Sequence, residues 1–401
     1  MKDLKNAGNY ENPRLLLKRW KETGRDEYRE KAYGIIGSMI EETAEKVSLG
    51  RPGRKNARVS IKMAARVNFG GVFTDIPPYC YENGGAVLNA PVLFRGDYPI
   101  RAEVSVIDEI LEFECVDTGE SCAFDSRIIS EPGGICRSFR LHQAVCRVLG
   151  IKSGIKIVTE SGLPMGSGLG TSSILAAAVI KCILRLYNLQ KDDFWVVQKV
   201  FEVEQLIGSR GGWQDPCGGL FRGMKICSSH PGLPPRISID SVRISDYTLE
   251  ELNKRLIVFY SGTARSAGNV LLQISDSYLL GEKRVMEAYE RCISLPGKMK
   301  IALESGDLLK FGSLLFEQHE VNKALCPEYI TNEIESMFND IKSICSGAMI
   351  TGAGGGGYVV VLLDKGRSRM DLCNVLGTEP ASMNIEMNIV AEPYEIQEFD
   401  L

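Results

Sequence analysis

The sequence predicts an α+β protein of two domains with a helical leader, and three observations carry that reading. The chain has 401 residues, 44% apolar and 24% charged, ordinary values for a globular protein and length enough for two cores. Period-two strand patterns and helical apolar spacings are mixed along it. A Pro- and Ser-rich stretch, 228–243, separates two sets of them and reads as the domain seam. The expected division is a leader over 1–54, a first domain over 55–240 and a second over 241–401.

The elements follow in order. Pro13 suits the first turn of a helix and Gly24 its end. A second helix is expected from Asp26 to Val47, where Tyr28, Ala32, Ile35, Met39 and Ala44 keep near-helical spacing. Arg51 to Asn56 is a polar turn. Val59–Met63 alternates apolar with polar, and Ile100–Val106 with Ile110–Cys115 read as a paired hairpin. Helices are expected near 136–149, 172–188 and 191–208, and Gly219–Cys227 as a strand. Leu256–Tyr260 reads as a buried strand, followed by amphipathic helices over about 265–345. Strands at Met349–Ile350 and Tyr358–Leu363, a helix near 366–376 and a strand near 385–391 complete the pattern.

Composition excludes several classes. The net charge of −4, from 47 basic and 51 acidic residues, argues against a general nucleic-acid binder. No apolar run approaches the ~18 residues of a membrane helix, and Met1 to Asn6 has no apolar core for a signal peptide. The twelve cysteines are scattered, with no Cys-x-x-Cys pair. They suit reduced thiols in a cytoplasmic enzyme better than a disulfide framework or a zinc site. His142, His230 and His319 have no cysteine at metal spacing and read as surface or packing residues.

The chemistry concentrates in four segments. Pro164-Met165-Gly166-Ser167-Gly168-Leu169-Gly170-Thr171-Ser172-Ser173 joins a strand-like run to a helix-like one. Glycines let the backbone approach a charged group, and a helix start offers free N–H donors and partial positive charge, so phosphate is the expected guest. Thr171 and Ser172 can bond a phosphate oxygen or ligate magnesium, which prefers hard oxygen donors. The loop lacks the Gly-Lys-Ser/Thr ending of a Walker A motif. A second tract, Thr351 to Gly357, lies between two short strands and suits either a tight backbone crossing or a second pocket wall. In the third segment, Arg66 and Asp75 bracket Gly70-Gly71; in the fourth, Glu204 precedes Gly211-Gly212-Trp213-Gln214-Asp215.

In this order the segments resemble the motifs of the GHMP small-molecule kinases, over roughly residues 57 to 395. Thr74-Asp75-Ile76-Pro77-Pro78-Tyr79-Cys80, Gly211 to Asp215, Tyr260 to Ala267 and Asn322-Lys323-Ala324-Leu325 are similar to the fucokinase branch, the kinase half of bifunctional enzymes that also carry a guanylyltransferase. Heptose 7-phosphate kinases are the nearest rival. The resemblance implies an α+β GHMP kinase fold, with a ribosomal-S5-like N-terminal domain and a ferredoxin-like C-terminal domain. It implies a cytoplasmic ATP- and Mg2+-dependent kinase acting on a small sugar, L-fucose first, to give the anomeric 1-phosphate; a non-catalytic sensor or a decarboxylase on the same fold is the alternative. Homodimerisation stays open.

The implied roles are as follows. Pro164, Gly166, Ser167, Gly168, Leu169, Gly170, Thr171, Ser172 and Ser173, with Gly354 and Gly355, would hold the nucleotide. Ser172, with Thr171 beside it, and Glu204 would hold magnesium. Asp215 would take the proton of the attacking hydroxyl, with Arg66 next to it. Asp75 would accept from sugar hydroxyls, and Gly355 and Gly356 would close on the substrate. Trp213 and Tyr79 would either face the sugar ring or sit as core aromatics. Two departures from the family pattern, Val72-Phe73 and Pro216-Cys217, lie where a sugar would pack.

Overall fold

The computed structural model describes residues 11–53, 57–124, 137–164, 166, 168–262, 267–378 and 387–400. The expected features at 1–10, Arg54-Lys55-Asn56, Thr263 to Ser266 and 385–386 lie outside that set. Helix α1 (Pro13–Thr23) starts at Asn12, whose side chain accepts from Arg14 N, and ends at Gly24 with φ 69°. Helix α2 (Asp26–Thr43) stops before Val47. Beyond it, Glu45 is drawn away to accept from Trp195 Nε1 at 2.6 Å and Lys191 Nζ at 3.0 Å.

The remaining elements are β1 (Ala57–Met63), β2 (Ala65–Gly70), α3 (Tyr79–Asn83), β3 (Gly85–Phe94), β4 (Ile100–Val106), β5 (Leu111–Cys115), β6 (Glu120–Phe124), α4 (Arg140–Leu149), β7 (Ile155–Ser161), α5 (Thr171–Leu186), α6 (Asp193–Ile207), α7 (Gln214–Leu220), β8 (Lys225–Ser229) and β9 (Ile237–Ser241). The rest are α8 (Asp246–Arg255), β10 (Leu256–Tyr260), α9 (Ala267–Leu279), α10 (Lys283–Glu304), α11 (Leu308–Leu325), α12 (Asn332–Ile341), β11 (Cys345–Ile350), β12 (Tyr358–Leu363), α13 (Arg369–Leu376), β13 (Met387–Ile389) and β14 (Tyr394–Asp400). Three sheets result. The first runs β14-β1-β4-β7-β5-β6, the second β13-β3-β8-β9 with β2 also on β3, and the third β10-β12-β11. The α+β expectation holds.

Several expectations need correction. Strands β4 and β5 are not a hairpin: β7 lies between them, antiparallel to β4 and parallel to β5. The cause is local. Ile107 N donates to Gly154 O and Gly154 N to Ile110 O, so the residue before β7 wedges into the connection. Alternation fixes which face of a strand is buried, not its neighbour. Gly219 and Leu220 end α7 instead of opening a strand. The stretch 228–243 is no linker, because β9 within it pairs with β8. Nor does everything after 241 form a second unit: β13 pairs with β3 and β14 with β1.

Helix α5 buries Ile174, Val179, Ile180 and Ile183 along with the small residues Ala176, Ala177 and Ala178, so it lies close against β1, β4, α6 and α7. That packing fixes its N-terminus, where the glycine loop sits. The third sheet, under α11, brings the second glycine tract to the same place. Gly71 N donates to Gln318 Oε1 at 2.7 Å, tying α11 to the end of β2. No helix among the described residues is long and apolar enough to cross a membrane.

Helix α11 meets β11 with almost no clearance: a Cβ on Gly347 would fall 2.0 Å from Gly312 O, whereas one on Gly297 within α10 would meet nothing within 4 Å. Gly347→Ala is therefore expected to lower the free energy of unfolding by about 1–3 kcal/mol, and Gly297→Ala to raise it by about 0.5–1 kcal/mol. Urea denaturation of the two variants measures both.

Candidate active site

The loop before α5 is shaped by left-handed glycines: Gly166, Gly168 and Gly170 have φ of 72°, 80° and 73°. Gly170 is the N-cap of α5, and no side chain caps that end. The first N–H groups of α5 thus stay available to an anion. Leu169 is fully buried and its carbonyl accepts from Arg66 N at 3.2 Å, so the loop is anchored at its centre. Ser167 lies outside the described residues, and Pro164 is exposed and does not border the cleft.

The two glycine tracts touch. A Cβ on Gly168 would lie 2.5 Å from Thr351 O, and one on Gly352 would lie 2.4 Å from Gly168 Cα. Asn68, buried in β2, holds the crossing. Its Oδ1 accepts from Thr351 Oγ1 at 2.6 Å and Gly352 N at 3.2 Å, while its Nδ2 donates to Gln214 Oε1 at 3.3 Å. No motif singles out Asn68, although an amide flanked by Val67 and Phe69 in a wholly buried strand is a readable signal.

Arg66, 2% exposed, joins this crossing to α7. Its Nη1 donates to Gly168 O at 2.6 Å; its Nε and Nη2 both reach Asp215 Oδ1, at 2.8 and 2.7 Å. The arginine leaves Asp215 Oδ2 unengaged, and the Asp215 side chain is 25% exposed, open to the cleft. Glycines make the approach possible: a Cβ on Gly218 would lie 2.4 Å from Arg66 Cβ, and one on Gly170 3.3 Å from Asp215 Cβ.

Two more carboxylates border the cleft. Asp75 is buried, accepts from Gln214 N at 3.2 Å and is crowded by Gly212, where a Cβ would meet its Oδ2 at 2.0 Å. Burial, reinforced by the charge of Asp215, pushes the Asp75 carboxyl up to about 7. Its Oδ1 is buried with no hydrogen-bond partner among the described residues. Glu204 is also buried; burial raises its pKa, the Asp215 charge adds to that, and hydroxyl donors oppose it. Those donors are Ser173 Oγ, at 2.6 Å from Oε1, and Ser209 Oγ on Oε2. The hydroxyl on Glu204 is thus that of Ser173, one residue beyond the expected Ser172, which is exposed at the cleft edge.

The cleft encloses about 840 Å3, its open mouth included. Thr171 Oγ1 is buried on its wall without a hydrogen-bond partner among the described residues. The orphan hydroxyl of Thr171 and the Glu204 carboxylate, on the border of one cleft, are hard oxygen donors of the kind magnesium takes; phosphate oxygens and water would complete the shell. Among the described residues no group of three or more His, Cys, Asp or Glu forms a metal cage.

Other expected residues lie elsewhere. Tyr79 stacks on Tyr289 with centroids 3.8 Å apart, and Trp213 is fully buried; neither borders the cleft, so both are core aromatics. Of the second glycine tract, Gly352 and Ala353 border the cleft. Gly354 and Gly355 are turned onto Tyr329: a Cβ on Gly354 would meet its ring at 2.0 Å, and Gly355 N donates to its carbonyl at 2.6 Å. Gly356 is buried behind them. Pro216 and Cys217 are buried in α7, whereas Val72 and Phe73 border the cleft, Phe73 in a left-handed conformation at φ 75°. Ile76 and Gly211, from the quoted motifs, also border it, as do Ser209 and Leu271, which no motif signalled.

The chain is similar to known proteins. The GHMP kinases N terminal domain model matches residues 137–223 and the GHMP kinases C terminal model residues 299–370. A bifunctional fucokinase/GDP-fucose pyrophosphorylase of Arabidopsis thaliana is 32% identical over 344 residues, covering 82% of this chain and 32% of that one. The chain thus spans about a third of that relative's length. A D-glycero-alpha-D-manno-heptose 7-phosphate kinase of Campylobacter jejuni is 26% identical over 306 residues, covering 75% and 87%. The crystal structure of a D-glycero-D-manno-heptose 1-phosphate kinase from Bacteriodes thetaiotaomicron superposes with a TM-score of 0.65 at 17% identity, covering 85% of this chain and 98% of that one.

The raised pKa of Asp75 makes stability pH-dependent. Between about pH 4 and 7 the folded protein keeps a proton that the unfolded chain has lost, so stability falls as pH rises through that window. The advantage of Asp75→Asn over the parent is expected to grow by about 1 kcal/mol per pH unit from pH 5 to 7 and to level off above. Urea midpoints across that range test it; a pH-independent gap would put this carboxyl in the ordinary range.

Proposed function

We propose, for a chain that belongs to the GHMP kinase family, that it transfers the terminal phosphoryl group of ATP to a hydroxyl of a neutral monosaccharide, L-fucose to fucose 1-phosphate being the first choice. The observation that carries this reading is the single guanidinium of Arg66 reaching both the Gly168 carbonyl and the Asp215 carboxylate. A phosphate seated at the start of α5 is then one arginine away from a carboxylate.

Phosphoryl transfer needs positioning and charge neutralisation more than covalent help. The loop Gly166–Gly170 and the first N–H groups of α5 receive the phosphate tail. Asp215 Oδ2 faces the acceptor hydroxyl and takes its proton as the sugar O–P bond forms and the bond from the terminal phosphorus to the ADP oxygen breaks. Arg66, by holding Oδ1, fixes the rotation of the carboxylate. Asp75, with an unpartnered buried oxygen, accepts from another sugar hydroxyl. Glu204, with Thr171 and Ser172, would hold magnesium, which when bound neutralises the phosphate charge.

Charge supports a neutral acceptor. Among the described residues bordering the cleft, Arg66 is the one cation, and it is already paired with Asp215. Its other ionisable groups, Asp75, Glu204 and Asp215, are all acidic and offer a second phosphate no counter-charge. The likeness to heptose 7-phosphate kinases favours the opposite, so the acceptor screen must contain both kinds.

Three outcomes test the reading. ATP consumption with L-fucose, D-arabinose, galactose and D-manno-heptose 7-phosphate should be fastest with a neutral sugar; turnover confined to the heptose phosphate overturns that choice. Asp215→Asn keeps an oxygen for Arg66 and should lower kcat by about 10²–10⁴-fold with ATP affinity nearly unchanged; wild-type turnover removes Asp215 from the proton transfer. Glu204→Gln should raise the magnesium needed for half-maximal rate by about tenfold or more, read from a metal titration; an unmoved midpoint rejects Glu204 as a ligand.

A further inference from the structure

Helices α1 and α2 lie outside both matched family regions, yet they touch the cleft's surroundings at two points. The first is the loop between α6 and α7. Arg210, left-handed at φ 57°, lays its guanidinium over the Tyr33 ring of α2, 4.1 Å from the centroid. The same loop carries Ser209, which holds Glu204, then Gly211, and then Gly212, which crowds Asp75. The second point is α9. Tyr33 Oη donates to Asp276 Oδ1 at 2.7 Å, and Arg29 pairs with the other oxygen of the same buried carboxylate.

From α1, Arg14 donates to the carbonyls of Tyr278 and Leu279 at the end of α9 and to Glu82 at 2.6 Å. A cation at those terminal carbonyls is favourably placed. Helix α9 in turn supplies Leu271 to the cleft, and its Ser275 Oγ donates to Pro77 O, two residues beyond Asp75. One helix pair thus braces both walls beside Asp75.

We propose that α1 and α2 form a positioning brace for the acceptor side of the cleft, with Tyr33 as its keystone, setting the 208–213 loop through Arg210 and α9 through Asp276. This rests on the sugar-kinase reading only for what the cleft receives. Neither Tyr33 nor Arg210 borders the cleft, so both act through the loop. The phosphate loop is anchored independently, through Leu169 and Arg66, and Glu204, though bonded by Ser209 of the braced loop, is also held by Ser173 of α5, so the brace acts chiefly on the sugar.

Two measurements test this. In steady-state kinetics, Tyr33→Ala and Arg210→Ala should each raise the sugar KM by about tenfold, the range of a partly desolvated cation–π contact, with the ATP KM within about twofold. Tyr33→Phe keeps the ring under Arg210 but gives up the bond to Asp276, which Arg29 still pairs, so it should restore the part of the loss that runs through the loop. Equal shifts in both KM values, or no rescue by Phe, overturn the proposal. Amide hydrogen exchange needs no substrate. Residues 209–212 should exchange about tenfold faster in Tyr33→Ala, with α5 unchanged; unaltered exchange in that loop overturns the brace whatever sugar the enzyme uses. Should Tyr33→Ala not fold, Arg210→Ala, at a half-buried loop position, carries both measurements. If the parent accepts no sugar while exchange responds as expected, the failure belongs to the proposed function and not to the brace.

Discussion

A buried guanidinium organises this site. Arg66 is almost wholly removed from water, and a buried charge is tolerable only when paired and fully hydrogen-bonded. Its partners come from the glycine loop, through Gly168 O, and from α7, through Asp215. Loop, strand β2 and α7 are thereby locked to one another, and the electrostatic need of a single side chain becomes a geometric constraint on the whole centre. Because Nε and Nη2 share one oxygen of Asp215, the other is left to the cleft.

The second constraint is steric. At Gly168 and Gly352 two backbones pass so close that a methyl group on either would overlap the other. Gly218 does the same for α7 against Arg66, and Gly212 for its loop against Asp75. These glycines are spacing devices: each removes a Cβ where a charged side chain or a second backbone must come near. Asn68 supplies the hydrogen bonds that hold the resulting contact in register.

The motifs that govern phosphate approach were readable from the sequence because glycine spacing, a hydroxyl run and a helix start are local properties. So was the meeting of Arg66 with Asp215, through family resemblance. Residues whose job depends on distant neighbours were not. Trp213 and Tyr79 read equally as sugar platforms or core aromatics in a linear reading, and packing puts both in the core. Ser173 and Ser172 are equivalent as letters; the helical rotation at the start of α5 decides which meets Glu204. The order of β4, β7 and β5 hinged on backbone hydrogen bonds from Gly154, which no alternation pattern encodes. Likewise nothing in the leader announced that Tyr33 would find Arg210.

The pairing of β1 with β14 sets Ala57 opposite Asp400. During synthesis on the ribosome, β1 emerges long before its partner, and it must wait with one row of N–H and C=O groups unmatched while the intervening chain is made. Such a bare strand edge is a template for mispairing, and closing so long a loop is slow. Vectorial folding of the first sheet is therefore incomplete until β14 is available.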